Sequence, residues 1–306
     1  MNNLKKIGLT ALGTTLIASS AFAADMSVTG GASISFDQTS DKVGGSSVYM
    51  GDSINFNASG EMDNGVTVAV HYEIDGGALD DHSITLGFAE MGSLNFAGSG
   101  GSTSMSAMDD MMPNAYEEAF DVVAGTPTVI NGVSGGNSFK YTSEDMGGAV
   151  ATIAFLNHEN YVDFGITMTP AAIEGLSLGY ARGENEVRTA DPAVSQTEST
   201  LYAKYAIGSV TVGYQMSELD SPTAGSSLES KSMGLTYAVS DNLSVGVGQH
   251  ILEKENASAD QKSTGMSASY TMGSMTLGGA KNKIESIQNV NATDTSGYEM
   301  TLSFAF

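Results

Sequence analysis

Residues 297–306, GYEMTLSFAF, alternate between apolar residues and polar or small ones. The apolar set is Tyr298, Met300, Leu302, Phe304 and Phe306, and between its members stand Glu299, Thr301, Ser303 and Ala305. A period of two places the two sets on opposite faces of one β-strand. In a soluble protein the apolar face would pack on a core. In a membrane barrel it would face lipid, and the polar face would line the lumen.

The same alternation recurs along the chain, and we count sixteen strand candidates between Met26 and Phe306. Short turn signals such as Asn64-Gly65 and Asp241-Asn242 alternate with longer polar connections. The longer connections are predicted at residues 38–46, 75–81, 97–137, 183–197, 218–229, 252–262 and 282–296. An even number of strands, with short turns at one end and long loops at the other, is typical of an outer-membrane barrel.

The composition helps to distinguish a soluble β-protein from a membrane barrel. The chain has 306 residues, with 35 acidic and 12 basic, and a formal net charge of −23. This charge argues against nucleic-acid binding, because few basic groups are present to neutralise phosphates. A secreted all-β protein would need a dry core, whereas each strand candidate has one face of polar or small residues. Sixteen such strands, closed with their apolar faces outward, leave a wide polar lumen.

The N-terminus reads as a secretory signal peptide over residues 1–23. Lys5 and Lys6 precede an apolar segment at 7–18, and Ala21-Phe22-Ala23 matches a small-residue cleavage site. The alternative is a transmembrane anchor, which the short apolar segment disfavours. The mature chain is then predicted to be residues 24–306, forming one barrel. The absence of cysteine fits an oxidising compartment.

These features resemble the general bacterial porin family of Gram-negative outer membranes. The matching features are the cleavage site followed at once by a strand at 26–36, the sixteen strands, one long third loop and the terminal aromatic Phe306. The resemblance implies an all-β fold, a 16-stranded antiparallel transmembrane β-barrel with an inward-folded third loop. It also implies a homotrimer in outer-membrane lipid, with Phe306 as part of the assembly signal.

The third loop is predicted at residues 97–137, where the period of two is lost. Within it, MMPNAYEEAF at 111–120 predicts a short helix. Its apolar face, Met112, Ala115, Tyr116 and Ala119, would pack on the barrel wall. The loop's acids are predicted to line a constriction: Asp109, Asp110, Glu117, Glu118 and Asp121. The alternative is that the loop is a disordered tip.

The wall opposite the loop departs from the family pattern, in which the third loop's carboxylates face a basic cluster. Residues 25–139 contain sixteen Asp or Glu and one basic residue, Lys42. The alternation turns His71 and Glu73 into the lumen, and His71 serves there either as a neutral hydrogen-bonding group or as a source of positive charge. Lys140, Lys204 and Lys281 are also predicted to face inward.

The sequence therefore predicts a porin for passive diffusion of small hydrophilic solutes and ions. Carboxylates in a narrow aqueous path concentrate cations, so a cation preference is expected. The alternatives are a substrate-specific channel and a non-conducting structural or adhesive surface protein. No catalytic constellation stands out, so no enzyme is predicted. No metal site or cofactor is predicted, although acidic loops can bind Ca²⁺ incidentally.

Overall fold

A computed structural model describes residues 25–39, 47–122, 127–157, 160–186 and 195–306. Sixteen antiparallel strands form a closed barrel in which each strand pairs with its neighbours in sequence and β1 pairs with β16. The predicted fold class and strand number are confirmed. The predicted signal peptide at 1–23 lies outside the described residues and stays a prediction, as does Lys42.

The strands have the following bounds: β1 Asp25–Thr39, β2 Ser47–Glu61, β3 Thr67–Asp75, β4 Ala78–Phe88, β5 Gly92–Ser99, β6 Ser138–Thr142, β7 Ala149–Leu156, β8 Tyr161–Met168, β9 Leu176–Glu186, β10 Ser195–Ile207, β11 Val210–Asp220, β12 Leu228–Ala238, β13 Leu243–Lys254, β14 Gln261–Met272, β15 Met275–Glu285 and β16 Thr295–Ala305. Two single-turn 3₁₀ helices, Ser106–Met108 and Ile287–Asn289, lie in connections. Among the described residues no helix is long and apolar enough to span a membrane.

The apolar residues of each strand lie on the outside of the barrel. In β16, Met300 is 52% exposed and Phe304 is 40% exposed, whereas Thr301 between them is 6% exposed. The hydroxyl of Thr301 lies 2.8 Å from that of Ser35 on β1, on the inner face. The outer face therefore presents an apolar band suited to lipid, as the alternation predicts.

The two ends of the barrel differ. Every connection from an even-numbered strand to the next strand is short, and most of the connections at the other end are longer. One predicted loop is wrong, because residues 75–81 do not form a long connection. The chain reverses there in a two-residue turn at Gly76 and Gly77, whose positive φ values of 54° and 81° suit glycine, and β4 begins at Ala78.

The third loop, described at residues 100–122 and 127–137, folds into the barrel as predicted and starts three residues later than expected because β5 continues to Ser99. The buried apolar cluster of the molecule lies between this loop and the wall. Loop residues Met105 and Met108 pack there on wall residues Leu156, Tyr161 and Tyr202. This buried apolar cluster therefore lies inside the lumen, between the loop and one side of the wall.

Candidate functional site

The described part of the third loop follows the inner wall from β6 to β16. Wall side chains hold it mainly by its backbone. The Met105 N–H donates to Asp163 Oδ2 on β8 at 2.8 Å, and the Ala115 N–H donates to Ser267 Oγ on β14 at 3.1 Å. Among the described residues, none of the loop's hydrogen bonds reaches β1–β4. The loop therefore leaves that part of the wall open to the lumen.

Gln215 on β11 makes the densest of these attachments. Its Nε2 donates to the carbonyl oxygens of Met108 and Asp109 at 2.6 and 3.0 Å, and its Oε1 accepts from the Met111 N–H at 2.9 Å. The side chain is 2% exposed. Backbone groups without a helix or sheet partner must be satisfied in another way when buried, and here the wall amide does so.

A track of wall glycines lies beneath residues 113–119 of the loop: Gly213, Gly234, Gly246, Gly265 and Gly278, one on each of β11 to β15. A Cβ at Gly234 would lie 2.5 Å from the carbonyl oxygen of Pro113, and one at Gly278 would lie 2.3 Å from the ring of Tyr116. At such distances a side chain would force the loop to shift away from the wall. This glycine track lets the loop backbone lie directly on the wall.

The predicted helix at 111–120 does not form, and this expectation was wrong. Pro113 has no N–H to donate to a helix. The neighbouring backbone groups bond to wall side chains instead, as the N–H of Ala115 does to Ser267. The apolar residues expected on the helix face still meet the wall, since Met112 lies against Gly213 and Ala119 against Gly265.

The loop's acids lie close together. One carboxylate oxygen from each of Glu117, Glu118 and Asp121 lies within 4.8 Å of the others. Asp109 and Asp110 line one cleft with Glu118 and Asp121. These five residues are called the third-loop acids below.

Burial favours the neutral form of each third-loop acid. It raises the pKa of Asp109 and Asp110 above the ordinary aspartate value and raises that of Glu118 above the ordinary glutamate value. For Glu117 and Asp121, burial together with neighbouring carboxylates raises the pKa to about 7. These two groups therefore change charge near neutral pH.

The open wall carries the predicted His71 and Glu73, both on the inner face of β3. His71 Nδ1 lies 2.8 Å from Asn57 Oδ1 on β2. Because that oxygen only accepts, Nδ1 donates in this arrangement, as it can in both the neutral and the protonated ring, so both alternatives for His71 stay predictions. Glu73 accepts from Asn55 Nδ2 at 3.4 Å. Residues 25–39 and 47–99, which form β1 to β5, contain no Lys or Arg.

The lysines predicted in the lumen divide into two groups. Lys140 Nζ donates to Ser102 Oγ of the third loop at 2.7 Å, and Lys204 Nζ lies 5.5 Å from the centre of the Tyr202 ring. Both face inward. Lys281 was expected to face inward and does not. Its neighbour Asn282 is 1% exposed and donates to the loop carbonyl of Glu118, so Lys281 points to the outside.

A family model described as Gram-negative porin matches residues 8–306. The chain belongs to the Gram-negative porin family. The barrel is similar to the trimer form of OmpT, an outer membrane protein of Vibrio cholerae (TM-score 0.70, 13% identity, 93% of this chain and 100% of that one). It is also similar to Salmonella typhi OmpF in complex with daunomycin (TM-score 0.70, 14% identity, 92% and 97%). No curated protein sequence matches this porin significantly.

One carboxylate of this porin's lumen was missed by the sequence analysis as a site residue. Glu299 on β16 accepts hydrogen bonds from Tyr116 of the third loop and, at 3.0 Å, from the Tyr49 hydroxyl. Its charge contributes to the raised pKa of Glu117. The signal was present in the sequence, because Glu299 occupies the polar register of residues 297–306. What the sequence does not give is the contact between β16 and the loop.

Proposed function

We propose that this porin forms a water-filled channel in the outer membrane for passive diffusion of small hydrophilic solutes and ions, with a preference for cations. The observation that carries the proposal is the absence of Lys and Arg from the described strands across the lumen from the third-loop acids. The third-loop acids and Glu299 stand on one side, and β1 to β5, on the other, carry no Lys or Arg. A cation therefore meets attraction along the passage without a matching basic wall.

The strength of this preference depends on the narrowness of the passage. A carboxylate in a narrow aqueous path is less well screened than one in bulk water, because protein on either side lowers the effective dielectric constant. At ~0.1 M salt the screening length is about 10 Å. This is longer than the 4.8 Å within which the carboxylate oxygens of Glu117, Glu118 and Asp121 lie. The third-loop acids then act on a passing ion together.

We also propose the homotrimer that the family resemblance implies. Asp52 supports it, since its neighbours Gly51 and Ser53 lie in the inner register of β2 and Asp52 itself is exposed on the outer face, between Met50 and Ile54. A carboxylate facing lipid at that height would be costly, whereas a contact between barrels removes it from lipid. No resident metal is proposed. Incidental Ca²⁺ at the third-loop acids stays a prediction.

Planar-bilayer recording of the purified mature protein tests the proposed function. Stepwise insertions with ohmic single-channel currents are the expected result. Their conductance should scale with salt concentration and with the conductivity of the bathing solution. If the protein migrates on gels as a heat-modifiable barrel but gives no current steps in the bilayer, the non-conducting surface protein would be favoured. Blockage by one solute class at low concentration would favour the substrate-specific channel.

A further inference from the structure

The last loop of the barrel, residues 286–294 between β15 and β16, has a strained backbone. Four of its residues that are not glycine have positive φ values, of 52°, 56°, 61° and 61°: Ser286, Gln288, Asn289 and Ala292. This left-handed conformation is uncommon for residues with a side chain and costs free energy at each position. The contacts that hold the last loop in this shape must therefore outweigh the strain.

Asn289 fastens the last loop over the long-loop end of the barrel. Its Nδ2 donates to the carbonyl oxygen of Leu252 on β13 at 2.8 Å and to that of Ala259, in the connection to β14, at 3.1 Å. The residue is 4% exposed. Among the described residues, its side chain has no hydrogen bond to the third loop. Asn289 therefore fixes the last loop on the barrel without touching the constriction.

The last loop and the third loop meet at the side chain of Gln261, the first residue of β14. Its Oε1 accepts from the N–H of Thr128 in the third loop and from the N–H of Gln288 in the last loop, each at 3.0 Å. Its Nε2 donates to the Thr128 carbonyl oxygen, also at 3.0 Å. Gln261 is 0% exposed. One buried wall amide thus holds both loops, and its oxygen uses both lone pairs to do so.

Thr128 belongs to the part of the third loop that leads back toward β6, residues 127–131, which we call the return limb. Four of its residues line the same cleft as Asp109, Asp110, Glu118 and Asp121: Pro127, Val129, Ile130 and Asn131. Within the described ranges, the return limb's hydrogen bonds to the wall are those of Thr128 with Gln261. Gln261 therefore fixes one side of the space that contains these third-loop acids.

We propose that Gln261 is a positioning residue that couples the last loop to the third loop, so that the last loop determines how firmly the return limb is held beside the third-loop acids. A glutamine side chain has several rotatable bonds, and ordering it costs entropy. Two loops share this cost when both bond to the same amide, so release of one loop weakens the hold on the other. A displacement of the last loop then loosens the constriction through a residue that contacts no solute.

Hydrogen exchange, measured by mass spectrometry on the detergent-solubilised protein, tests the coupling at the amides of residues 128–131. The test variant is Asn289→Ala. Because Asn289 adjoins Gln288, loss of its two anchors lets the Gln288 N–H leave Gln261. The return-limb amides should then exchange about two- to tenfold faster than in the unmodified protein, as expected for the loss of one hydrogen bond.

Gln261→Ala breaks the link itself and should speed exchange at 128–131 at least as much. N289A/Q261A should exchange no faster there than Q261A alone, because two changes on one broken link do not add. Ser227→Ala is the matched control. It removes the acceptor of the Ser221 N–H, 3.2 Å away, in a surface connection that the last loop does not anchor, and should leave exchange at 128–131 unchanged.

Planar-bilayer recording tests the consequence for conduction, which rests on the proposed channel function. N289A and Q261A should both show higher open-channel current noise than the unmodified channel, because a loosened return limb fluctuates beside the ion path. S227A should show the noise of the unmodified channel. Raised exchange at 128–131 with unchanged noise would overturn the role of the coupling in conduction.

Other outcomes would overturn the coupling itself. Unchanged exchange at 128–131 in N289A would show that Gln261 holds the return limb without help from the last loop. Additive effects of N289A and Q261A would show the same. N289A and S227A decide the question alone if Q261A does not assemble into a heat-modifiable barrel. Since exchange requires no current, a folded protein that does not conduct would contradict the proposed function and leave this test intact.

Discussion

Protonation of Glu117 and Asp121 links the packing of the third loop to ion conduction, because burial in that packing raises their pKa values. Both carboxyls have a pKa raised to about 7, with burial as the main cause. A carboxyl with a raised pKa carries its charge only above that pKa and is neutral below it. The two groups share one cluster and so titrate as a pair. Ordinary carboxyls, with a pKa near 4, would not change charge around neutrality.

We therefore expect the K⁺ over Cl⁻ permeability ratio to fall as the pH is lowered from about 8 to about 6. Reversal potentials in a fixed KCl gradient, recorded at each pH on the same bilayer, measure this change. The E117Q/D121N variant should show a low ratio that is nearly independent of pH over this range.

His71 is the competing explanation, because it also lies on the lumen wall and histidine is the side chain most often used as a pH-sensitive group in proteins. H71Q is the matched control and should keep the pH dependence of the unmodified channel. A pH-independent ratio in H71Q, with the dependence intact in E117Q/D121N, would assign the effect to the histidine and contradict the account of the loop.

At the scale of the element, the position of the third loop is set by the glycine track. A Cβ at Gly234 would stand 2.5 Å from a backbone oxygen of the loop, which cannot rotate away as a side chain does. We expect Gly234→Ala to push the loop toward the centre of the lumen at a cost of about 1–3 kcal/mol, typical of overpacking. Gln215 and Ser267 still hold the loop on either side, so single-channel conductance should fall.

Gly248 supplies the matched control for this substitution. It is also on the inner face of the wall, but a Cβ there would lie 3.4 Å from Ala119 Cβ, an ordinary contact. Gly248→Ala should leave the conductance nearly unchanged. Equal conductance of both variants would show that the loop does not rest on the track as described.

The loop also shows where reading the sequence succeeds and where it fails. Its place in the chain and its acids follow from the loss of alternation at 97–137. Its conformation does not, because helix formers at 111–120 meet a wall whose glycines let a non-helical backbone lie directly on it. The relevant glycines are 100 to 165 residues away from Pro113 in the chain, so the local sequence gives no sign of them.

The strand ends show a second limit of prediction. The alternation rule assumes that polar residues face the lumen, which holds only where the outer face meets acyl chains. Above that band the outer residues are charged as well, as Arg182 and Lys281 are, and the pattern disappears although the strands continue. Residues 183–186 of β9 and 282–285 of β15 were therefore expected in loops, and Lys281 was assigned to the wrong face.

For the whole molecule, closure of the barrel depends on the pairing of β1 with the end of the chain. The Phe306 N–H donates to the Gly30 carbonyl at 2.9 Å, and the Gly30 N–H donates to the Phe306 carbonyl at 2.8 Å. The Phe306 ring is on the outside, and the residue is 75% exposed. The side chain of Phe306 does not line the lumen, and its backbone makes one reciprocal pair of hydrogen bonds with Gly30 of β1.

We expect deletion of Phe306 to reduce the amount of protein inserted in the outer membrane several-fold while leaving the conductance of each surviving channel unchanged. Quantification of the heat-modifiable form in membrane fractions, followed by bilayer recording, measures both quantities. Phe306→Tyr keeps the aromatic ring and the backbone pair and should insert normally. Full insertion of the truncated chain would show that assembly does not require Phe306.

The central claim is that the third-loop acids give the channel its cation preference. The most direct measurement is the reversal potential in a KCl gradient at ~0.1 M mean salt, where screening is weak, compared with ~1 M, where it is strong. The unmodified channel should show a clear cation-selective potential that fades at high salt, and E117Q/E118Q/D121N should move the low-salt value toward zero. An anion-selective unmodified channel, or a triple variant with the same potential, would contradict the claim.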